Sequence, residues 1–376
     1  MALEAGEGKG GGMIGIPKQA MSNERGFALP FTLFVIAIIT MLLAGILGQV
    51  QVDRRIAESV ADGVDATAIA QSGLQTYLAL VNVDACFAAI RPPDGDSTRI
   101  NVTGGYADVI GHVLQEPPDT VNGTYTYVVR STGFLIEPTA GADPQARHTI
   151  AQFANWQRGT IKVLAAFTAA NGIAGGSTGT GEFQGVDLAS PVACQTADTT
   201  AIRVSGANPS PPHLTTGSLP NIKASGSGLD VANETGIDWA STIGGGIIPD
   251  YTTPQSWDAS YPVMLITGNA TIAVADTWYY GTLIVTGDLT FTGTRLQWDG
   301  VVLVGGRIIF NNTDARFDGM VVTGLNYLIA GTPTEGTLGI GNVDIDFHSN
   351  KIRQALRSFA GFVPIENAWA DNWATY

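Results

Sequence analysis

The sequence predicts an α+β protein that is mainly β: one long N-terminal helix, a small antiparallel sheet, and a C-terminal parallel β-solenoid with 19-residue coils. Three observations carry this. An uncharged run of 27 residues separates Arg25 from Asp53. Between residues 262 and 324, glycine and apolar columns recur every 19 residues. With 47 glycines and only 14% charged residues, the composition favours short strands and tight turns over helical bundles.

The uncharged run comes first. As a helix it rises roughly 40 Å, enough to span a bilayer. It is long for a secretory signal, and no Ala-x-Ala site closes it. A plain membrane anchor is the alternative reading. Pro30 favours a helix that begins just before it, because a missing N–H costs little in a first turn and forces a kink in an interior. The helix is expected to continue beyond the membrane. Residues 51–81 lack proline, and Val52, Ile56, Val60, Val64 and Ala68 recur every four residues, with Leu74, Leu78 and Val81 extending the face.

Two stretches carry a family resemblance: Arg25-Gly-Phe-Ala-Leu-Pro-Phe31 and Ala68-Ile-Ala-Gln-Ser-Gly-Leu74. Together they resemble the PilX-type minor pilins of type IV pilus assembly. The resemblance is strong over residues 21–83 and weaker beyond. It implies a leader of residues 1–26 removed by prepilin peptidase between Gly26 and Phe27, or a shorter leader from Met21. It also implies a membrane segment at 27–50 and a periplasmic helical half at 51–83. One departure matters. Bulk pilins carry Glu at the fifth mature position, where this chain has Phe31. Its absence implies a minor or tip subunit rather than a shaft subunit.

Downstream, Thr124–Val129, Gly133–Glu137 and Arg147–Phe153 read as strands of a pilin-like head spanning residues 84–204, with a loop at Pro138–Pro144. Residues 205–260, rich in Ser, Pro, Gly and Asn, read as a loop-rich insertion. The solenoid is assigned to residues 261–340. Gly281, Gly300 and Gly319 each open an apolar run, and Gly268, Gly287 and Gly306 follow in phase. Ala270, Leu289 and Ile308 form one apolar column, and Ile272, Phe291 and Phe310 another. Several columns at one period near 20 mean a solenoid of stacked coils. A glycine-rich run at Gly172–Asp187 is expected to be an irregular first coil. Residues 341–376 are read as a short helix from Asn350 with Ser349 as its N-cap, then an aromatic tail with Trp369 and Trp373 that caps the solenoid's open end.

Chemistry is sparse. His112, His148, His213 and His348 are scattered without metal-ligand spacing, and no phosphate-binding Gly-rich loop with Lys occurs. Gly175-Gly-Ser177-Thr-Gly179 matches a nucleophile-elbow pattern but lacks the strand and helix that define one. Asp299 and Asp318 stack one coil apart. They are open to three readings: paired carboxylates for catalysis, a calcium site, or simple Asp-Gly turns. The column Tyr279, Trp298 and Phe317 is either core or a surface binding strip. Cys86 and Cys194 form one disulfide if this part lies outside the cytoplasm, or are two unrelated buried thiols. No cofactor and no enzymatic activity is expected. A net charge of −14 argues against nucleic acid as a partner.

The expected function, implied by the resemblance, is a minor pilin or pilus-assembly protein near the tip of a type IV pilus or pseudopilus. Its partners would be prepilin peptidase, other minor pilins, the assembly machinery and the inner membrane. Its head would lie in the periplasm and then on the pilus or cell surface. The alternatives are a membrane-anchored β-helix protein that binds carbohydrate and a surface enzyme acting on polysaccharide.

Overall fold

A computed structural model describes residues 28–118, 123–136, 143–174, 181–206, 214–216, 222–311, 314–340 and 342–372. The expected leader, the Gly26–Phe27 junction, Ser177, His213, most of the 138–144 loop and Trp373 lie outside the described residues. The chain divides into two compact units, Met1–Asp62 and Gly63–Tyr376.

Helix α1 runs unbroken from Ala28 to Ala79 over 52 residues. Pro30 is its third residue, inside the first turn, where it removes no intrahelical hydrogen bond. In the first unit no described residue of the helix is buried, and the helix is apolar enough to cross a membrane by length and composition.

In the second unit, the C-terminal part of α1 packs on an antiparallel sheet through Ala66, Ile69, Ala70, Leu74 and Tyr77, all buried. This is not the valine stripe expected from the sequence, since Val64 is 63% exposed. At Ala66 and Ala70 the side chains are small because the helix and sheet backbones approach closely there. A Cβ on Gly133 would stand 2.3 Å from the Ala66 carbonyl and 2.4 Å from the Ala70 amide. Beside it, Ser131 Oγ donates to the Ala70 carbonyl at 2.7 Å.

The sheet is built from β1 (Ser97–Val102), β2 (Gly105–Gln115), β3 (Tyr125–Leu135) and β4 (Ala146–Gln157), each antiparallel to the next. Burial alternates along β3, as a sheet covered on one face requires.

The chain then enters a parallel β-solenoid of thirteen strands among the described residues. The first block holds β5 (Ala165–Ala169), β6 (Ile173–Ala174), β7 (Gly181–Gln184), β8 (Thr200–Val204), β9 (Leu214–Thr216) and β10 (Ile222–Ala224). After two short helices, α2 (Gly228–Glu234) and α3 (Trp239–Ile243), a second block follows. It holds β11 (Val263–Ile266), β12 (Ala270–Val285), β13 (Leu289–Val304), β14 (Ile308–Asn311), β15 (Ala315–Thr323), β16 (Gly336–Ile340) and β17 (Val343–Phe347). The blocks stack in reverse of sequence order. One ladder reads Met264, Leu283, Val302, Val321, Phe167, Ile202, Ile222, so the later block precedes the earlier one along the axis. A second ladder crosses the same junction as Tyr279, Trp298, Phe317, Ile345, Phe183.

This arrangement corrects four boundaries, the first being the solenoid's end, which β17 carries past residue 340 to Phe347. The solenoid begins at β5, so residues 165–204 belong to it and not to the antiparallel head. Gly172–Asp187 contributes to a coil, but a central one. Residues 205–260 contain two further solenoid strands and a return path. That path must cross six strand spacings, ~29 Å, from β10 back to β11. It packs on the way, with Trp239 buried and its Nε1 donating to Asn326 Oδ1 at 2.9 Å.

After β17, the short helix α4 (Ser349–Ala355) leads to β18 (Gly361–Asp371), which pairs antiparallel with β4. The expected aromatic cap is thus a sheet strand. Trp369 lies opposite Gln152, not over the end of the solenoid. Its open backbone groups find partners on the free edge of β4, which would otherwise be unpaired. Gly361 pairs with Gln157. The solenoid therefore enters and leaves between neighbouring strands of one sheet, an insertion that leaves the helix–sheet unit intact.

Candidate functional site

Two successive coil corners present an Asp-Gly step, Asp299-Gly300 and Asp318-Gly319, flanked in register by Tyr280-Gly281 and Asp346-Phe347. Gly319 has φ +151°, and a Cβ there would stand 1.9 Å from the Gly300 carbonyl, so the corner admits only glycine. The preceding aspartates stack in register as Asp299, Asp318 and Asp346. All three are buried, and α4 reaches over Asp299 and Asp318 through Lys351. Lys351 Nζ sits between two of them, 2.8 Å from Asp299 Oδ2 and 2.7 Å from Asp318 Oδ2. Arg316 bonds Asp318 Oδ1 at 2.9 Å and approaches Asp346 Oδ2 at 3.3 Å. The pair weighed for catalysis or calcium is therefore the socket of a helix clasp, with lysine as the counter-charge.

Electrostatics separates the members. Burial works to raise Asp318, but the bonds from Lys351 and Arg316 outweigh it and hold its carboxyl below the usual range. Asp346 is pushed up to about 6 by burial, with Arg316 opposing and Asp318 adding to the rise. A carboxyl raised on folding takes up its proton first in the native state. Its penalty is then present above about pH 6 and fades as pH falls towards the ordinary carboxylate value. Asp346→Asn is accordingly expected to raise stability by roughly 1 kcal/mol at pH 7.5, after allowance for solvent screening, and by nothing measurable at pH 4. Thermal unfolding of both proteins at the two pH values checks this.

The rest of α4 fastens a second joint. Cys86 and Cys194 are disulfide-bonded across 108 residues of sequence. Arg353 donates to both of their carbonyls, at 2.8 Å to Cys86 and 2.7 Å to Cys194. Asn350 Nδ2 donates to the Ser190 carbonyl at 2.7 Å. Ser349 is the first residue of α4 and not its cap, which is His348. His348 makes no capping bond, and Asp187 Oδ1 accepts from the Ser349 amide at 3.0 Å instead.

The aromatic column Tyr279, Trp298 and Phe317 is core, not a surface strip: Trp298 and Phe317 are each 1% exposed. Trp298 and Tyr279 stack at 5.2 Å between ring centroids, and the indole N–H donates to the Gly281 carbonyl at 3.2 Å. Strand alternation sends the neighbouring positions outward instead. The outward column reads Trp278, Gln297, Arg316, Asp344 and Glu182. Trp257, on the loop before β11, stacks on Trp278 at 5.8 Å and 13°. These two indoles wall a groove of about 460 Å³ whose floor includes Gln297, Arg316 and Asp344. Sequence reading missed this site. The available signal was the period-2 partner of the buried aromatic column, which places Trp278 on the opposite face from Tyr279.

The chain joins a long N-terminal apolar helix, an antiparallel sheet packed on the C-terminal part of that helix, and a β-solenoid. No family model and no curated protein matches the chain. Among solved structures, the competence-associated pilin ComZ from Thermus thermophilus is similar at 11% identity and a TM-score of 0.23, over 82% of this chain and 97% of that one. Overlap that low carries no argument.

Proposed function

We propose that the chain is a minor pilin or pilus-assembly protein, carried near the tip of a type IV pilus or pseudopilus, whose solenoid head serves assembly or adhesion. The observation that carries this is the insertion point. A helix with a membrane-length apolar half supports a complete antiparallel sheet, and the solenoid leaves and re-enters between two adjacent strands of that sheet. A head built this way rides on the helix without altering it.

Further support comes from the surface of α1. Val52, Ile56, Val60 and Val64 lie exposed at four-residue spacing, an apolar stripe suited to packing on neighbouring helices. Phe31, where a bulk subunit would carry Glu, suits a subunit with few pilin neighbours. The disulfide fits an oxidising compartment such as the periplasm. On this reading prepilin peptidase, other minor pilins, the assembly machinery and the inner membrane are the partners. The role is mechanical, not catalytic.

Mass spectrometry of the mature N-terminus tests the reading. Phe27 as first residue is expected, and an intact leader would sink it. Deletion of the gene, scored for piliation and for protein secretion, distinguishes the pilus from the pseudopilus.

A further inference from the structure

We propose that the groove beside Trp257 and Trp278 binds an uncharged polysaccharide. This inference names a ligand class for the head and rests on the proposed function only for its biological setting, since binding does not depend on leader removal.

Its first support is the pair of indoles. Trp257 is 61% exposed and Trp278 43% exposed, yet they are held stacked with their ring planes nearly parallel. Exposed stacked indoles are unusual on a surface, where such rings bury apolar area against something. They are not loosely placed. The Trp257 amide donates to the Trp278 carbonyl at 2.8 Å, and Ser256 forms a bridge with Tyr279. Backbone strain gathers at the same spot. Trp257, Asp276 and Arg295 all have positive φ, at 63°, 48° and 29°, and all three line the groove. Strain persists where the surroundings over-determine a conformation, and it concentrates at binding sites.

The second support is the floor. Below Trp278 the solenoid repeats planar polar side chains, Gln297, Arg316 and Asp344, one per coil at roughly 4.8 Å. Amide, guanidinium and carboxylate groups together offer donors and acceptors in flat forks. A pyranose presents the complementary surface: an apolar C–H face for an indole, and an edge of hydroxyls that both donate and accept. The open, repeating floor suits a polymer rather than one small molecule.

Charge narrows the class. The lining holds Asp276, Asp314 and Asp344 against Arg295 and Arg316. Arg295 is already paired with Asp276 at 2.9 Å, and Arg316 with buried Asp318. No net positive charge remains for phosphate, sulfate or uronate. A proline-rich peptide also docks on aromatic grooves, but its imide nitrogens carry no hydrogen for the acceptors of a mixed floor, whereas sugar hydroxyls both donate and accept, so a glycan fits better.

The test is affinity electrophoresis of the detergent-solubilised full chain through native gels containing hydroxyethylcellulose or dextran, a β- and an α-linked neutral glucan. Retardation in at least one gel is expected. Trp278→Ala and Trp257→Ala should each weaken it about tenfold or more, as loss of a central aromatic anchor does. Trp278→Phe should retain most of it. Trp369→Ala, exposed on the other sheet, should bind as wild type. Trp257 lies outside the strands, so its variant reads the site even if Trp278→Ala fails to fold. Absence of retardation in both gels, equal retardation of wild type and both alanine variants, or displacement from the gel matrix by poly-L-proline would overturn the proposal.

Discussion

Lys351→Met is expected to lower stability by about 3–5 kcal/mol, because it removes one partner of a buried charge cluster and leaves two carboxylates behind. Asp299 is 6% exposed and Asp318 5%, and Lys351 Nζ is within 2.8 Å of an oxygen on each. Asp318 keeps Arg316, while Asp299 keeps only the Gln297 amide at 3.2 Å. The effect has a direction in pH. In the wild type, the depressed Asp318 contributes stability above the ordinary carboxylate value and loses it as pH falls through its folded value. In the variant Asp318 loses the Lys351 contribution that holds its carboxyl down while its burial remains, so mild acidification should recover part of the loss. Adding Asp299→Asn and Asp318→Asn to Lys351→Met should recover more of it, by removing the unpaired charges themselves. Urea unfolding of the three proteins, wild type, Lys351→Met and the triple variant, at pH 7.5 and 5 measures all of this. A single variant no weaker than wild type would show that α4 does not clasp the coils.

Cys86→Ser is expected to cost roughly 4–5 kcal/mol in the chain-entropy account of a crosslink, given the 108-residue separation it closes. The bond joins the segment that leaves α1 to a 3₁₀ turn at Val192–Cys194 between solenoid strands β7 and β8. It also sets the two carbonyls that Arg353 grips. Loss of the bond therefore loosens the anchorage of α4 as well as relaxing the unfolded chain. Reducing agent should lower the unfolding midpoint of the wild type to that of the serine variant. If the two midpoints already coincide without reductant, the bond contributes nothing to stability.

Part of this was legible from the residues. The coils from Val263 to Thr323 keep a constant 19-residue period, so each column announces its own neighbours. The first block does not. Phe167 and Ile202 stack although 35 residues separate them, and Ile202 and Ile222 are 20 apart. With no shared period, these strands carry no repeat signal and read as part of the head or of the loop-rich insertion. The fourth coil is similarly hidden, because Phe317 and Ile345 stand 28 residues apart with a 3₁₀ turn between them.

The sites followed the same division. Asp299 and Asp318 were visible as a column, but their counter-ion is Lys351 on a helix 33 residues beyond Asp318, and no spacing rule points to it. The aromatic column was visible too, but whether it faced in or out depended on which side of the strand the core occupies. That is a one-residue alternation, and it hid Trp278.

The sequence by itself determined the membrane-length helix, the period of the coils and the residues at their corners, because each is a local pattern of a few neighbouring turns or strands. Only the tertiary structure decided that the later coils stack before the earlier ones, that the C-terminal strand closes the antiparallel sheet, and that α4 locks the aspartates. Those choices come from complementary open edges and buried charges meeting across long stretches of chain. The free energy of such meetings depends on which surfaces are left unpaired once the local elements have formed.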